Sequence, residues 1–359
     1  MERSAAMNDL RLGAIVSAVQ KNCHISDAQF AADLTLCTFL LKMRELYRWE
    51  NEIPLTEEMP KSEVGDWMNE REQFWEAVEA APYEPLPLAT GSIDPFEVAQ
   101  ANRELAPHGL VYSGGFGRAC KPHFFLGSLL REEVRDGFKV YVSGCEFARD
   151  LDAPPGMMLD DTIFVRTESL QRWLWEKYEE WNWNHRNQAM SRAVAHYDFR
   201  ADPVQALQAM TATETESVIL HELGEARVGA ELGGDWSQML AGVMRSRAEI
   251  MARAVRDLYA DCLSTLPGLL LRNNPAAIHF YFANFTGMRR LLFPELAAAY
   301  QVWLGTGDSA ELHRICSAGR VRWQAMAWRM IELFRQHGDA VGPMIEQLLE
   351  QPLEQPNAS

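Results

Sequence analysis

The chain is short of cysteine, of long apolar runs and of basic residues, and each shortage removes a class of protein. Its six cysteines (Cys23, Cys37, Cys120, Cys145, Cys262, Cys316) are scattered over 359 residues with no CxxC pair. That spacing offers no disulfide framework and reads as reduced, mostly buried thiols. The longest apolar runs, such as "LSTLPGLLL" at 263–271, fall well short of the roughly 20 residues of a spanning helix. The opening "MERSAAMNDLRLG" has no basic stretch followed by an apolar one, so the expected setting is cytoplasmic, with no membrane. Basic residues number 34 against 50 acidic ones, a formal charge of −16. Such a field repels phosphate backbones, which excludes nucleic acid as the main partner and leaves a small molecule or peptide as the expected substrate.

What the chain does have is apolar content: 47% of its residues, enough for one large core or two to three smaller ones. Its 11 tryptophans mostly recur at helical spacing in acidic segments such as "QRWLWEKYEEWNWNHRN" and read as packing residues. Over residues 24–50 the spacing of Phe30, Leu34, Leu41 and Met43 predicts one helix capped by Ser26 or Asp27, with His24 beside the cap. A second helix is expected over "KSEVGDWMNEREQFWEAVEA", after which the prolines of "APYEPLPLATGSIDP" break the pattern. The expected organisation is an N-terminal helical region (1–107), a small antiparallel β meander (108–168), a C-terminal helical bundle (169–350) and a frayed tail (351–359). Within the meander, Asp136-Gly137 predicts a hairpin turn. The fold class is therefore mainly α, a multi-helix bundle with a small antiparallel β insertion, α+β overall.

The chemistry concentrates in "TATETESVILHELGEARVGAELGG", residues 211–234. Thr213 and Glu216 form a capping box, so a helix is expected from Glu214 to Gly233-Gly234. At about 100° per residue, Glu214, His221 and Glu225 share one face and Glu222 lies about a quarter turn away. A following helix carries Asp257 and Asp261 four residues apart, with Glu249, Arg253 and Arg256 on a neighbouring stripe. An antiparallel pair hinged at the glycines would bring the aspartates opposite His221 and Glu225. Two outcomes fit that pocket: a divalent metal (Zn, Fe or Mn) held by His221, Glu225 and Asp261, with Asp257 or Glu214 in support, or a salt-bridge network in which Arg253 or Arg256 neutralises the carboxylates.

"HELGE" resembles the HELGH helix of zincin metallopeptidases. The resemblance implies His221 as a metal ligand, Glu222 as general base on a metal-bound water, and Asp257 with Asp261 as the downstream acidic pair. Glu225 stands where the second histidine belongs, which makes the site more anionic and favours harder ions. The spacing Glu214-x6-His221 is also similar to that of heme-oxygenase-like di-iron oxidases, which implies a redox alternative with further ligands from a third helix, His279 and His313 being candidates. The third reading is non-enzymatic: a partner-binding protein whose polar cluster is only a salt-bridge network.

Weaker signals lie outside this stretch. "YSGGFGRAC" reads as a β-turn, with Arg118 and Lys121 leaving room for a small anion site. Cys145 precedes Glu146, a neighbour that raises rather than lowers a thiol pKa, so it reads as structural and buried. Asp33, Cys37, Arg44 and Arg48 share a stripe of the first helix.

Overall fold

The computed structural model describes residues 2–117 and 120–350, so the tail from 351 and Arg118 lie outside the described residues. The fold is α+β. The chain divides into two compact units, one built from residues up to Lys177 together with Asp202–Thr211, the other from Tyr178–Ala201 and Ala212 onward.

The N-terminal unit begins with α1 (Glu2–Phe30), α2 (Leu36–Glu50) and α3 (Lys61–Val78), then a two-stranded ribbon of β1 (Leu86–Leu88) and β2 (Gly91–Ile93), and α4 (Val98–Leu105). Where one helix was expected over 24–50, two are found: Thr35 caps α2 by accepting from the Thr38 backbone N–H, and Ser26 and Asp27 are buried inside α1. Asp27 is recruited by the sheet instead of by a helix end. Its carboxylate accepts from Lys121 Nζ at 3.1 Å and from the Leu151 backbone N–H at 2.8 Å.

The sheet comprises β3 (Leu110–Phe116), β4 (Pro122–Arg135), β5 (Phe138–Arg149), β6 (Gly156–Leu159) and β7 (Thr162–Arg166), in the order β3-β4-β5-β7-β6. The meander is not wholly antiparallel, because β5 pairs with β7 in parallel. Between them the chain crosses over through β6 and an added edge pairing, which no turn motif in the sequence announces. Alternation is clean: Tyr112, Phe124 and Leu126 pack against Ile15, Val19 and Cys23 of α1, whereas Val111 and Phe125 pack on the other face with Tyr141 and Phe164. Asp136 and Gly137 adopt φ of 54° and 89°, as a two-residue hairpin between β4 and β5 requires.

Helices long and short follow: α5 (Thr167–Asn184), α6 (Gln188–Val194), α7 (Pro203–Gly242), α8 (Arg247–Ala260), α9 (Leu266–Arg272), α10 (Pro275–Asn284), α11 (Gly287–Leu292), α12 (Pro294–Thr306), α13 (Ala310–His337) and α14 (Gly342–Glu350). The helix expected to start at Glu214 starts at Pro203, so Thr213 lies inside it rather than at a cap. Gly233 does break it, at φ 67° and ψ −162°, a conformation open essentially to glycine alone. The predicted second helix is likewise divided, with Ser246 capping α8 and a π-helical turn, Asp261–Thr265, carrying α8 into α9. The core of the C-terminal unit joins Val228, Leu232 and Trp236 of α7 to Val255, Leu258 and Tyr259 of α8 and to Trp323, Met330 and Ile331 of α13. No helix among the described residues is long and apolar enough to cross a membrane.

Candidate functional site

Gly224, the glycine of "HELGE", lets two backbones meet. A Cβ there would stand 2.7 Å from the Ala260 carbonyl oxygen and 3.1 Å from Ser264 Cβ. The approach is locked one turn earlier, where Ser264 Oγ donates to the Leu220 carbonyl at 2.8 Å. His221 and Glu225 flank Gly224 and so come to face Asp261, which opens the π turn. A π turn inserts one residue into the helical ladder and re-aims the side chain where it begins.

His221 lies between two carboxylates. Its Nδ1 is 3.5 Å from Asp261 Oδ1, an ion-pair contact rather than a short hydrogen bond, and its Nε2 is 3.3 Å from Glu225 Oε1. Burial works against the imidazolium, but Asp261 and Glu225 outweigh it and hold the ring well above the usual histidine range. Each carboxylate is then met by a guanidinium. Arg256 donates to Glu225 Oε2 at 2.8 Å, and Arg289 of α11 donates to Asp261 Oδ2 at 2.9 Å, where the Tyr281 hydroxyl also donates at 2.8 Å. Burial raises both carboxyls, yet His221 first, and then Arg256 for Glu225 and Arg289 with Tyr281 for Asp261, bring them below the ordinary range. Asp257, 3.6 Å from Arg256, is shifted the other way by burial and by Glu225.

Glu222 differs from its neighbours. No hydrogen bond or ion pair reaches it among the described residues, and burial lifts its carboxyl to about 7 against the pull of His221. Beside it Arg256 keeps its Nε–H without an acceptor among the described residues. A half-buried carboxyl that titrates near neutrality next to fixed positive charge can hold or release a proton at physiological pH.

The structure brings His221, Glu225, Asp257 and Asp261 together, with Glu222 next to them but unpaired, and it assembles the paired ones around arginine. A metal ion would need one ring nitrogen and the carboxylates on the same side of it, at about 2.0 to 2.2 Å. Here the two ring nitrogens point to different carboxylates, and a guanidinium occupies one oxygen of each. Among the described residues no group of three or more His, Cys, Asp or Glu side chains is arranged to hold a metal. In this arrangement the residues do not fit a bound ion. Arg253 pairs with Glu249 at 2.7 Å instead.

Glu214 stands apart from the cluster. It is buried, its Oε1 accepts no hydrogen bond among the described residues, and burial lifts it to about 8 with Ser217 offsetting only part. His279 is a satisfied core residue, its Nδ1 2.8 Å from the Tyr300 hydroxyl, and His313 is exposed on α13. Tyr281 and Arg289 were missed by sequence reasoning. Tyr281 lies two residues beyond His279 in "AAIHFYFANF", so the signal was an aromatic hydroxyl in an apolar helix, which needs a buried partner.

The secondary candidates resolve simply. Lys121 is held between Asp27 and Asp152, at 3.1 and 3.0 Å, which leaves it no charge to offer an anion. Cys145, Cys37 and Cys120 are exposed rather than buried. The Cys145 thiol is raised by partial burial and then by Glu168 and Glu146, so it is a poor nucleophile. His24 lies inside α1, edge-on to Phe74, and accepts from Trp75 Nε1 at 3.3 Å.

Residues 14–166 match the N-terminal domain, and residues 171–352 the C-terminal domain, of a family of unknown function (DUF6866). No curated protein and no solved structure matches the chain.

Proposed function

Since the chain belongs to the DUF6866 family of unknown function, we propose from the site itself that its C-terminal domain is a hydrolytic acid–base centre with Glu222 as general base. The observation that carries the reading is the contrast within the cluster. Every other carboxylate near His221 faces a cation, whereas Glu222 faces none directly and is lifted to about 7. Glu222 takes a proton from the water that attacks the carbonyl carbon, the His221 imidazolium and the free Nε–H of Arg256 stabilise the negative charge on the carbonyl oxygen, and as the C–O or C–N bond breaks Glu222 returns that proton to the departing alkoxide or amine. Asp261, Tyr281 and Arg289 act as positioning residues by fixing the imidazole. A small ester or amide, or a peptide, is the substrate class, and a reducing cytoplasm suits the six free thiols.

The divalent metal of the zincin-like reading and the iron of the oxidase reading both require Arg256 to leave Glu225 and the ring to turn. No step is routed through either here. The non-enzymatic reading also has an observation in its favour: His221, Arg256 and Arg289 balance Glu225, Asp257 and Asp261 when Glu222 is protonated.

A panel of p-nitrophenyl esters and short peptides, assayed with wild type and Glu222→Gln alongside elemental analysis, separates the three. The expected result is turnover that rises with pH through about 7 and falls roughly 100-fold or more in Glu222→Gln. Full activity in that variant would sink the general-base role. Stoichiometric metal lost in His221→Ala would restore the metal reading, and a fold dependent on Arg256 without turnover on any substrate would favour the network.

A further inference from the structure

The end of α1, the start of α2 and the second half of α3 enclose a groove of about 430 Å³ in the N-terminal unit. Ala28, Ala31, Leu34, Leu36, Phe39 and Trp75 give it an apolar floor. That floor is the outer side of a packed cluster, because Trp75 also meets Met43, Leu46 and Leu151. Its frame is tied as well: Gln29 Nε2 donates to the Glu79 carbonyl at 2.9 Å, Gln29 Oε1 accepts from the Tyr83 hydroxyl at 2.9 Å, and Thr35 caps α2. From Leu36 the apolar surface runs on to Leu40 one turn later, and these two are 71 and 45% exposed. Apolar surface left together in this way marks an interaction site rather than a stray exposed side chain.

The other wall is acidic. Glu72, Glu76 and Glu79 line the groove from α3 and its C-cap, at i, i+4 and i+7, which sets them on one stripe about 10 Å long. All three are exposed, none makes an ion pair among the described residues, and no basic side chain lines the groove. Two rules of helix electrostatics are broken there. Like charges one turn apart repel, and carboxylates at a helix C-terminus meet the negative end of its dipole. The last turn of α3 holds no basic residue to offset either effect. A helix that keeps such a stripe gives up stability, and a cation laid along it returns that stability.

We propose that this groove is a docking site for a basic amphipathic helix of a partner protein, its apolar side chains seated on Ala31, Leu36 and Phe39 and its Lys or Arg side chains laid along Glu72, Glu76 and Glu79. The charge on the wall selects the sign of the partner, and the spacing selects its form. Three carboxylates one turn apart outrun a single small cation, whereas basic residues at i, i+4 and i+7 of an opposing helix meet them in turn while its apolar stripe enters the groove. The site does not involve Glu222 or its neighbours.

Fluorescence anisotropy with the full chain and a labelled peptide of about 14 residues, leucine on one helical face and lysine on the other, tests this. The peptide binds with one site per chain, and the same peptide with glutamate for lysine does not. Glu72→Gln with Glu76→Gln weakens binding about fivefold or more, the loss of two exposed ion pairs, and Leu36→Ser weakens it by a similar factor. These side chains are exposed, so the variants keep the fold. Asp160→Asn with Asp161→Asn, which removes two exposed charges from the turn between β6 and β7, changes binding less than about twofold. Equal losses in the two double variants would reduce the effect to the acidity of the whole chain and overturn the proposal. Binding untouched by Leu36→Ser, or spermine competing as well as the peptide, would overturn it in favour of a small polyamine, and self-association of the chain abolished by Leu36→Ser would assign the groove to a second copy instead.

Discussion

Glu214 lies about two helical turns before His221 and is enclosed, at 3% exposure, where the His221 side chain is 34% exposed. Its carboxyl is raised from 4.5 to about 8 by burial. A raised carboxyl favours the fold in its protonated form, so its contribution is complete below 4.5 and is lost as pH rises through about 8. Glu214→Gln should leave stability near pH 4 almost unchanged and raise it by ~1 to 3 kcal/mol near pH 9. Urea midpoints for both proteins at the two pH values check this, and parallel pH profiles would contradict it. Face arithmetic put Glu214 on the stripe of His221, and the structure holds Glu214 apart from the cluster. That arithmetic could not say that one end of that stripe is shut inside protein and the other is open to water, because enclosure depends on elements distant in sequence.

The closest approach of α7 to the end of α8 depends on one small residue, Gly224. Gly224→Ala places a methyl 2.7 Å from the Ala260 carbonyl oxygen, and backbone has no flexible end to yield. The expected loss is ~1 to 3 kcal/mol, read by denaturant unfolding, together with a rise in the exposure of Asp261 as the helices part. A stability equal to wild type would mean that the approach is not needed. The helical periods, the Gly233 break and the Asp136-Gly137 turn were legible because they are local chemistry, whereas the caps at Thr35 and Ser246 and the start of α7 at Pro203 were not. Two further features were not. The π turn at Asp261 and the parallel pairing of β5 with β7 depend on which distant strand or helix is available, and no residue at those positions signals them. Arg256 on Glu225 was legible as one of two alternatives, whereas Arg289 and Tyr281 were not, because they reach Asp261 from helices with no spacing relation to it.

At the scale of the chain, the segment Asp202–Thr211 belongs with the N-terminal unit although Tyr178–Ala201 before it belongs with the other. The segment brings Ala206, Leu207 and Met210 into burial, and the match boundary between residues 166 and 171 gives no hint of it. Leu207→Ala in the full chain should cost ~2 to 5 kcal/mol. Hydrogen exchange resolved by segment should place the loss of protection in β3, β4, β5 and β7. Loss confined to α8 through α14 would assign the segment to the other unit.

That interleaving has a consequence for how the protein is made. A ribosome releases residues in order, at about 5 to 20 per second, so the first part of the C-terminal unit emerges before the last piece of the N-terminal one. The N-terminal unit therefore cannot be complete when its own strands have appeared. Leu207 and Met210, buried in the finished protein, are still to be made when Tyr178–Ala201 of the other unit has already emerged, so the order of synthesis is not the order in which the two units can be completed.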